Sequence, residues 1–260
     1  EVWLPLLLAE QAEWFLVRFL MICPQITWHP AVGPLGAIGL GVMLFLPLRK
    51  ELTLLLLVLI FGIREQPVGA TVEVLDVGQG SAALIYLPGR DPILLDGGPK
   101  GSGVLQLLRR RRIRRLSYVI ASHGDGDHVG GLAEVLQELV VGELWMGGLG
   151  KGATLREQAS RLSIPVYGCE SLRNRELDLR LWCDVAPESE NDASFVIVAA
   201  GVTFMGDLSV IGEARYLASS VPPSPVLVLG HHGSRGSTSY ALLNQLKSLN
   251  KLDLVARLVS

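Results

Sequence analysis

One short segment constrains this chain of 260 residues more than any other. Residues 122–131 read Ser-His-Gly-Asp-Gly-Asp-His-Val-Gly-Gly, directly after an apolar β-type run and before a helical pattern. Its imidazoles (His123, His128) and carboxylates (Asp125, Asp127) lie within six residues, and the glycines let the backbone bring them to one point. Such a nitrogen and oxygen set suits Zn²⁺ or Mn²⁺, because no thiolate is near. A polar loop whose aspartates cap the next helix is the alternative interpretation.

Two later β-type runs also end in residues that bind metals. The apolar run 226–229 leads into Gly230 and then His231 and His232, so four of the five histidines of the chain follow strands. The run 202–205 ends in Gly206 and Asp207, which supplies one carboxylate. A Gly-Asp pair alone is most often a turn. Its repeated placement at a strand end is what gives Asp207 weight as a candidate.

The region after residue 64 has an α/β pattern in which short β-rich runs alternate with helical ones. Strands and helices occur in both halves, which predicts two sheets sandwiched between helices. Strands are predicted over about 71–76, 81–87, 92–95, 117–121, 143–146, 164–167, 177–183, 194–199, 202–205 and 226–229, and helices over about 103–112, 130–139, 154–162, 211–217 and 240–249.

The mean hydropathy of the whole chain is +0.39, and the apolar residues behind this value are concentrated in the first 63 residues. Few of the charged residues of the chain lie there. Residues 2–22 predict an interfacial amphipathic helix. Residues 31–48 carry no charge and predict a transmembrane span, and the apolar run 52–63 is a shorter second candidate. A buried soluble helical hairpin is the alternative. The chain begins with Glu1 rather than Met, as a fragment of a longer protein would.

Charge and cysteine content exclude little. The net charge is −2, so no overall field attracts a polyanion. The three cysteines are far apart and form no C-x-x-C, which argues against a structural zinc module and against a disulfide framework. Residues 109–115 include six arginines, a local cluster that could contact phosphates or could be a solvated helix end. Aromatic residues are 6% of the chain, so no base-stacking platform is apparent.

Five motifs in this order resemble the metallo-β-lactamase superfamily and, within it, the ComEC family of competence DNA-uptake proteins. The resemblance covers nearly the whole chain. The motifs are Val-Leu-Asp-Val-Gly-Gln-Gly (74–80), Leu-Asp-Gly-Gly (95–98), the segment 122–131, Asn-Asp-x-Ser (191–194) and His-His-Gly-Ser (231–234).

The resemblance implies a metallo-β-lactamase-like αββα sandwich over 68–260, preceded over 1–63 by an amphipathic helix and one or two transmembrane helices. It implies a two-metal phosphodiesterase that degrades the non-imported DNA strand during uptake. The implied partners are DNA, the membrane and a channel region of the same or a longer polypeptide in the bacterial inner membrane. Arg49 and Lys50 lie between the two apolar runs, which favours an extracytoplasmic hydrolase domain, although Arg64 argues the other way.

The same resemblance assigns roles to individual residues. Asp207 bridges two divalent ions, Mn²⁺ or Zn²⁺, and Asp127 also orients the nucleophile, so these two are the catalytic carboxylates. Asp125 replaces a histidine that is usual in the superfamily, which makes the site richer in oxygen and favours Mn²⁺. The implied metal ligands are His123, Asp125, Asp127, His128, Asp207, His231 and His232, of which one or both of the last two bind.

Other residues are implied to support the ligands or to bind substrate. Asp76 and Asp96 follow early strands and are candidates to orient the ligands. Asn191 and Ser194 are candidates for phosphate contacts or for a turn that opens a strand. Ser234 and Arg110 are further candidates for substrate binding. After Ser239 the family suggests another strand and a Gly-His-Pro-like segment, but residues 250–260 contain no histidine.

Two other functions fit the same pattern. A hydrolase of another ester or an amide could use this fold, because a fold does not determine its substrate. A degenerate domain that only guides DNA at the channel could also retain these motifs. The sequence does not indicate an oligomeric state.

Overall fold

Two β-sheets form the centre of the fold, and side chains on both faces of each are buried. The computed structural model describes residues 69–174, 179–248 and 253–255, which lie in one compact unit spanning 67–260. The predicted amphipathic helix and apolar runs of residues 1–63 lie outside the described residues. Among the described residues, no helix is long and apolar enough to cross a membrane.

The first sheet has six strands in the order β1-β2-β3-β4-β5-β6. β1 to β3 are antiparallel neighbours, whereas β3, β4, β5 and β6 run parallel to one another. The carboxyl ends of β3 and β4 therefore lie at the same edge of the sheet. The bounds are β1 (Thr71–Val74), β2 (Ala83–Tyr86), β3 (Ile93–Leu95), β4 (Arg115–Ala121), β5 (Val140–Met146) and β6 (Val166–Tyr167).

The second sheet has five strands in the order β11-β10-β9-β8-β7. β9, β10 and β11 are parallel, so the carboxyl ends of β9 and β10 lie side by side. The further strand expected after Ser239 is present as β11, at the edge next to β10. The bounds are β7 (Arg180–Trp182), β8 (Val196–Ala199), β9 (Val202–Phe204), β10 (Val226–Val228) and β11 (Asp253–Val255).

Helices cover the outer face of each sheet. α1, α3 and α4 pack on the first sheet, and α5 and α6 pack on the second. Their bounds, together with the single turn α2, are α1 (Val104–Arg110), α2 (Gly126–Val129), α3 (Leu132–Glu138), α4 (Ala153–Arg161), α5 (Val210–Leu217) and α6 (Tyr240–Ser248). Short 3-10 turns span Cys169–Asn174 and Gly230–Gly233.

Three buried clusters hold the four layers together. The central cluster joins the two sheets through side chains such as Ile120, Trp145 and Phe195, each 0% exposed. Alternate residues of β8 serve different clusters, since Ile197 faces the other sheet while Val198 packs towards the outer helices. This double burial explains why the strands read as continuous apolar runs. The αββα sandwich expected from the sequence is the architecture of the described residues.

The sequence argued against a disulfide framework, but two of the cysteines form a disulfide. Cys169 and Cys183 are bonded, with their Cα atoms 5.9 Å apart. The 3-10 turn that begins at Cys169 and the end of β7 bring the two together although 14 residues separate them. Spacing in the sequence could not show this contact, because it depends on how β7 pairs in the second sheet.

Candidate metal centre

The histidine segment passes through the interior where β4 ends. After Ala121 the chain leaves the first sheet, and the side chains of His123 and His128 are 0% and 2% exposed. The turn α2 brings His128 back beside His123, with 4.2 Å between their ring centroids. Asp125 stands at the N-cap position of α2 but makes no side-chain capping bond. The helix-capping interpretation of this aspartate therefore finds no support in the structure.

The second sheet supplies the opposite side of the site. Asp207 follows β9 through Gly206, whose φ of 55° turns the chain sharply. His231 and His232 follow β10, with φ values of 47° and 52°, and the backbone N–H of His231 donates to the carbonyl of Gly206 at 3.0 Å. Left-handed backbone at two consecutive non-glycine residues is uncommon and is concentrated at functional sites.

Five side chains form two overlapping groups of potential metal ligands. In each group the ligand atoms lie within 4.8 Å of one another. The buried group is His123, His128 and Asp207, with Asp207 Oδ1 3.2 Å from His128 Nε2 and Oδ2 3.6 Å from His123 Nε2. The outer group is Asp127, His128 and His232, and His232 Nε2 lies 3.1 Å from Asp127 Oδ2.

The atoms of the buried group fit a bound cation. Among the described residues, His123 Nε2, His128 Nε2 and Asp207 Oδ1 are buried and make no well-directed hydrogen bond, although the last two lie 3.2 Å apart. Burying polar atoms unpaired is costly, and native proteins rarely leave several together. Two imidazole nitrogens and a carboxylate oxygen are ligands typical of Zn²⁺ and also accepted by Mn²⁺. A metal ion here would satisfy all three atoms at once.

The charges in the site also favour a cation. Burial alone would lower the pKa of His128, but the carboxylates of Asp96 and Asp207 raise it to about 11. Burial would raise the pKa of Asp207, yet His128, His123 and His231 hold it at about 2. Burial lowers the pKa of His123, and the neighbouring His128 lowers it further. The metal-free site therefore retains a proton on His128, in the position where a metal ion would replace it.

Two residues behind the histidines determine which ring nitrogen faces the site. Asp96 Oδ2 lies 2.9 Å from His128 Nδ1 and accepts the hydroxyl hydrogen of Ser122 at 2.9 Å, while Oδ1 accepts the backbone N–H of Ser122 at 2.7 Å. The same hydroxyl is 3.1 Å from His123 Nδ1. Both Nδ1 atoms are thus engaged, which directs both Nε2 atoms into the site. The sequence pattern predicted this supporting role for Asp96 but assigned none to Ser122.

Asp125 lies beside the two groups but belongs to neither. Its Oδ2 is 3.8 Å from His123 Nε2, whereas its Oδ1 is 2.6 Å from the ammonium of Lys151. His231 also stands at the edge, with Nε2 3.8 Å from Asp207 Oδ2 and nearly half of its side chain exposed. The structure therefore brings all seven predicted ligands to one place. Three of their atoms form the buried group, and a more exposed rim is formed by the side chains of Asp125, Asp127, His231 and His232.

The other predicted site residues are placed differently. Asp76 is exposed, and its carboxylate accepts the backbone N–H of Gly78 in a turn. Ser194 is fully buried, and its hydroxyl accepts the backbone N–H of Asp207 at 3.1 Å, which fixes that ligand. Asn191 Nδ2 is 3.5 Å from His231 Nδ1, at the opening of the site. Ser234 follows His231 and His232 in the loop after β10, and its hydroxyl lies 3.3 Å from that of Ser237.

Arg110 and its neighbouring arginines lie far from the metal ligands. α1 ends at Arg110, and the chain then enters β4 at Arg115, so the cluster sits at the amino end of the strand whose carboxyl end carries His123. The seven residues of β4 separate the two by roughly 20 Å. Arg109 pairs with Glu138, and Arg111 and Arg115 pair with Glu73 and Asp91, which is typical of a solvated face.

Lys151 and Glu190 contact residues 122–131, which we call the metal loop. The sequence pattern had singled out neither of them. Glu190 accepts the backbone N–H of Gly124 at 3.2 Å and that of Leu149 at 2.8 Å, so it ties the metal loop to the loop after β5. The available signal for Lys151 was its position in a glycine-rich turn, Gly-Gly-Leu-Gly-Lys-Gly (147–152), directly after a strand. Glu190 had no comparable signal, because its partners lie 66 and 41 residues away.

Comparison with known proteins agrees with this architecture. Residues 75–165, which include the histidine segment, match the metallo-beta-lactamase superfamily. The chain is similar to competence protein ComA of Neisseria gonorrhoeae, with 30% identity over 258 residues, 91% of this chain and 36% of that protein. It is also similar to recombination protein 2 of Haemophilus influenzae, with 31% identity over 198 residues, 68% of this chain and 23% of that protein.

A solved metallo-beta-lactamase from Pontibacter korlensis is 14% identical, with a TM-score of 0.46 over 72% of this chain and 96% of that one. The sandwich and the histidine segment define a domain of the metallo-β-lactamase superfamily. More specifically, this is a metallo-β-lactamase-fold domain of the ComEC family of competence proteins. The chain spans roughly a quarter to a third of the length of the curated relatives it matches.

Proposed function

We propose that this domain is a metal-dependent phosphodiesterase that cleaves DNA during competence-related uptake and degrades the strand that is not imported. One observation carries the chemical part of the proposal: three buried ligand atoms, from His123, His128 and Asp207, converge where the two sheets meet. The names of the relatives, a competence protein and a recombination protein, support DNA as the substrate.

The residues divide the work between holding metal and orienting water. His123, His128 and Asp207 would hold one ion, and Asp127, His128 and His232 are placed to hold a second, with Asp207 next to both groups. Two divalent ions, Mn²⁺ or Zn²⁺, lower the pKa of water and neutralise charge that builds on phosphorus. Asp127 is 41% exposed and orients the attacking water. His232 Nε2 lies 3.1 Å from that carboxylate, so the two side chains can bind the same ion.

The supporting residues keep the site ready for substrate. Asp96 and Ser122 hold the histidine rings so that no ring has to reorient during turnover. Ser194 fixes the backbone of Asp207. His231 and Asn191 stand at the opening, where they can contact an incoming phosphodiester. The chain therefore provides a rigid, buried base and an accessible rim.

We further propose that residues 1–63 anchor the domain in the inner membrane and that the domain lies on the extracytoplasmic side. The disulfide between Cys169 and Cys183 supports this side, because disulfides persist in oxidising compartments and are rare in the cytosol. Protease treatment of intact cells whose outer envelope has been opened tests it. Digestion of the domain is expected, and full protection would contradict the assignment.

The nuclease proposal is tested with the purified chain and end-labelled DNA in Mn²⁺, Zn²⁺ or Mg²⁺. Release of nucleotides with at least one metal is expected. Asp127→Asn and Asp207→Asn should each lower the rate at least about 10²- to 10³-fold, as the loss of one preorganised contact does. Asp207→Asn should also lower the bound metal. Asp91→Asn, an exposed carboxylate before β3, is the matched control and should cleave normally.

Two results would contradict the proposal. Near-wild-type cleavage by Asp127→Asn or Asp207→Asn would rule out the two-metal mechanism. Absence of nucleotide release with every metal, from protein that binds metal, would rule out DNA as the substrate.

A further inference from the structure

The turn after β5 packs directly on the metal loop. We call residues 147–152 the glycine loop. A Cβ on Gly124, which lies between His123 and Asp125, would stand only 2.1 Å from the carbonyl oxygen of Lys151. Only glycine allows this approach, so the backbone of Lys151 has a defined position against the histidine segment. Glu190 fixes the same contact, since its carboxylate accepts N–H groups from both loops.

The side chain of Lys151 reaches the rim of the metal centre. Its ammonium lies 2.6 Å from Asp125 Oδ1, and the other oxygen of that carboxylate lies 3.8 Å from His123 Nε2. Lys151 is thus one carboxylate away from a buried metal ligand. Its own side chain is 60% exposed, so the ammonium remains accessible from solvent.

Lys151 is a cation among carboxylates. Its ammonium pairs with Asp125, and Glu190 and Asp127 lie nearby. These carboxylates give the rim a negative potential, which repels a phosphodiester. A cation among them counteracts that repulsion at the point where substrate must arrive.

Arg110 cannot take this role for a small substrate. The arginine cluster lies at the opposite end of β4, roughly 20 Å from the metal ligands. A single phosphodiester bound at the metals does not extend that far. Any arginine contact would involve nucleotides well away from the bond that is cleaved.

From this placement we infer that Lys151 binds a non-bridging oxygen of the scissile phosphate, while its pairing with Asp125 holds it at the rim. The inference rests on the proposed phosphodiesterase activity and adds a substrate contact to it. It assigns recognition of the phosphate at the site of cleavage to Lys151 in the glycine loop and not to the arginine cluster.

The test compares Lys151→Gln and Lys151→Arg with Arg161→Gln. The control removes the same charge from the far end of α4, where Arg161 is exposed. The substrate is bis(p-nitrophenyl) phosphate, which is too small to reach the arginine cluster. Lys151→Gln should raise KM roughly five- to tenfold, since it loses a charge-assisted hydrogen bond at an exposed site. Lys151→Arg should recover most of that loss, and Arg161→Gln should match the wild type.

Two further measurements separate substrate binding from a structural role. Competition with a chelating dye gives metal affinity, which Lys151→Gln should leave within about twofold of the wild type. Calorimetry with a dithymidine phosphorothioate gives binding without turnover, and Lys151→Gln should weaken it as much as KM rises. An unchanged KM and unchanged phosphorothioate affinity would overturn the inference. So would a loss of metal affinity that accounts for the whole effect, because Lys151 would then act only by positioning Asp125.

These outcomes remain distinct from failure of the proposed function. If the wild type hydrolyses the small phosphodiester but not DNA, the DNA proposal fails and the KM comparison still decides the role of Lys151. If the wild type hydrolyses neither, phosphorothioate binding decides it alone.

Discussion

Asp96→Asn should lower the affinity of the site for metal while leaving the domain folded. Asp96 is 2% exposed and has φ of 54°, a left-handed conformation that asparagine tolerates well. The substitution keeps the size and backbone of the residue while one carboxylate oxygen becomes an NH₂ group. If the remaining oxygen keeps the backbone N–H of Ser122, the NH₂ faces His128 Nδ1. That nitrogen must then accept a hydrogen bond, which places the proton of the neutral ring on Nε2, the metal-facing atom.

The size of the effect follows from the hydrogen bond that the NH₂ group cannot accept once metal is bound. Metal on Nε2 leaves the ring proton of His128 on Nδ1, which donates to the carboxylate of Asp96 at 2.9 Å in the wild type but would face the NH₂ group in the variant. A hydrogen bond to a charged group contributes about 1.5–3 kcal/mol. Converting about 2 kcal/mol at 1.4 kcal/mol per tenfold predicts a decrease of roughly 30-fold in metal affinity, within the 10–100-fold typical of residues that support metal ligands.

The assay is a titration of the metal-free protein with Zn²⁺ or Mn²⁺ against a chelating dye. Circular dichroism confirms that each variant is folded. Asp91→Asn is the control, because it makes the same chemical change at an exposed residue that pairs with Arg115 at the other end of β4. Metal affinity of Asp96→Asn within twofold of the wild type would refute the argument that Asp96 sets the proton position on His128.

Three other predictions concern protons, the disulfide and the second histidine loop. Metal binding should release about one proton from His128, whose pKa is about 11 without metal, and calorimetry in two buffers should detect this release. Metal affinity should therefore rise as pH rises towards 11, and absence of proton release would contradict the prediction. Replacing Cys169 and Cys183 with serine should lower the free energy of unfolding by about 3 kcal/mol in urea titrations, and an unchanged midpoint would count against the bond. Glu213→Gln should lower the free energy of unfolding by about 1–3 kcal/mol and speed proteolysis near Thr238, because the buried carboxylate accepts the backbone N–H groups of Thr238 and Ser239. Unaltered proteolysis would show that this segment does not depend on Glu213.

The sequence placed the candidate ligands at strand ends, and the structure brings those ends together. The carboxyl ends of β9 and β10 lie side by side in the second sheet because these strands are parallel, and the end of β4 faces them from the first sheet. His123, Asp207 and His231 each follow a strand in this way. The alternation of strands and helices likewise predicted the layered architecture, because buried strands such as β2 and β8 read as short apolar runs.

Contacts that depend on tertiary pairing were not predictable in this way. The disulfide requires the turn at Cys169 and the pairing of β7, and neither leaves a local pattern. The contact between Asp125 and Lys151 spans 26 residues and depends on close packing at Gly124. The charge of Arg110 indicated phosphate binding, but composition cannot report which end of a strand a cluster occupies.

The register of the first sheet also determines where the proposed membrane anchor would attach to the domain. Thr71 pairs with Tyr86, at the end of the sheet opposite Asp96, so the described chain enters the domain on the side away from the ligands. The distance along the strands is roughly 15 Å, or about four to five stacked nucleotides at 3.4 Å each. A strand of DNA held close to that point of attachment could reach the metal ligands only after running along the domain for this length. The shortest product left on the tethered side would then be set by the length of the strands.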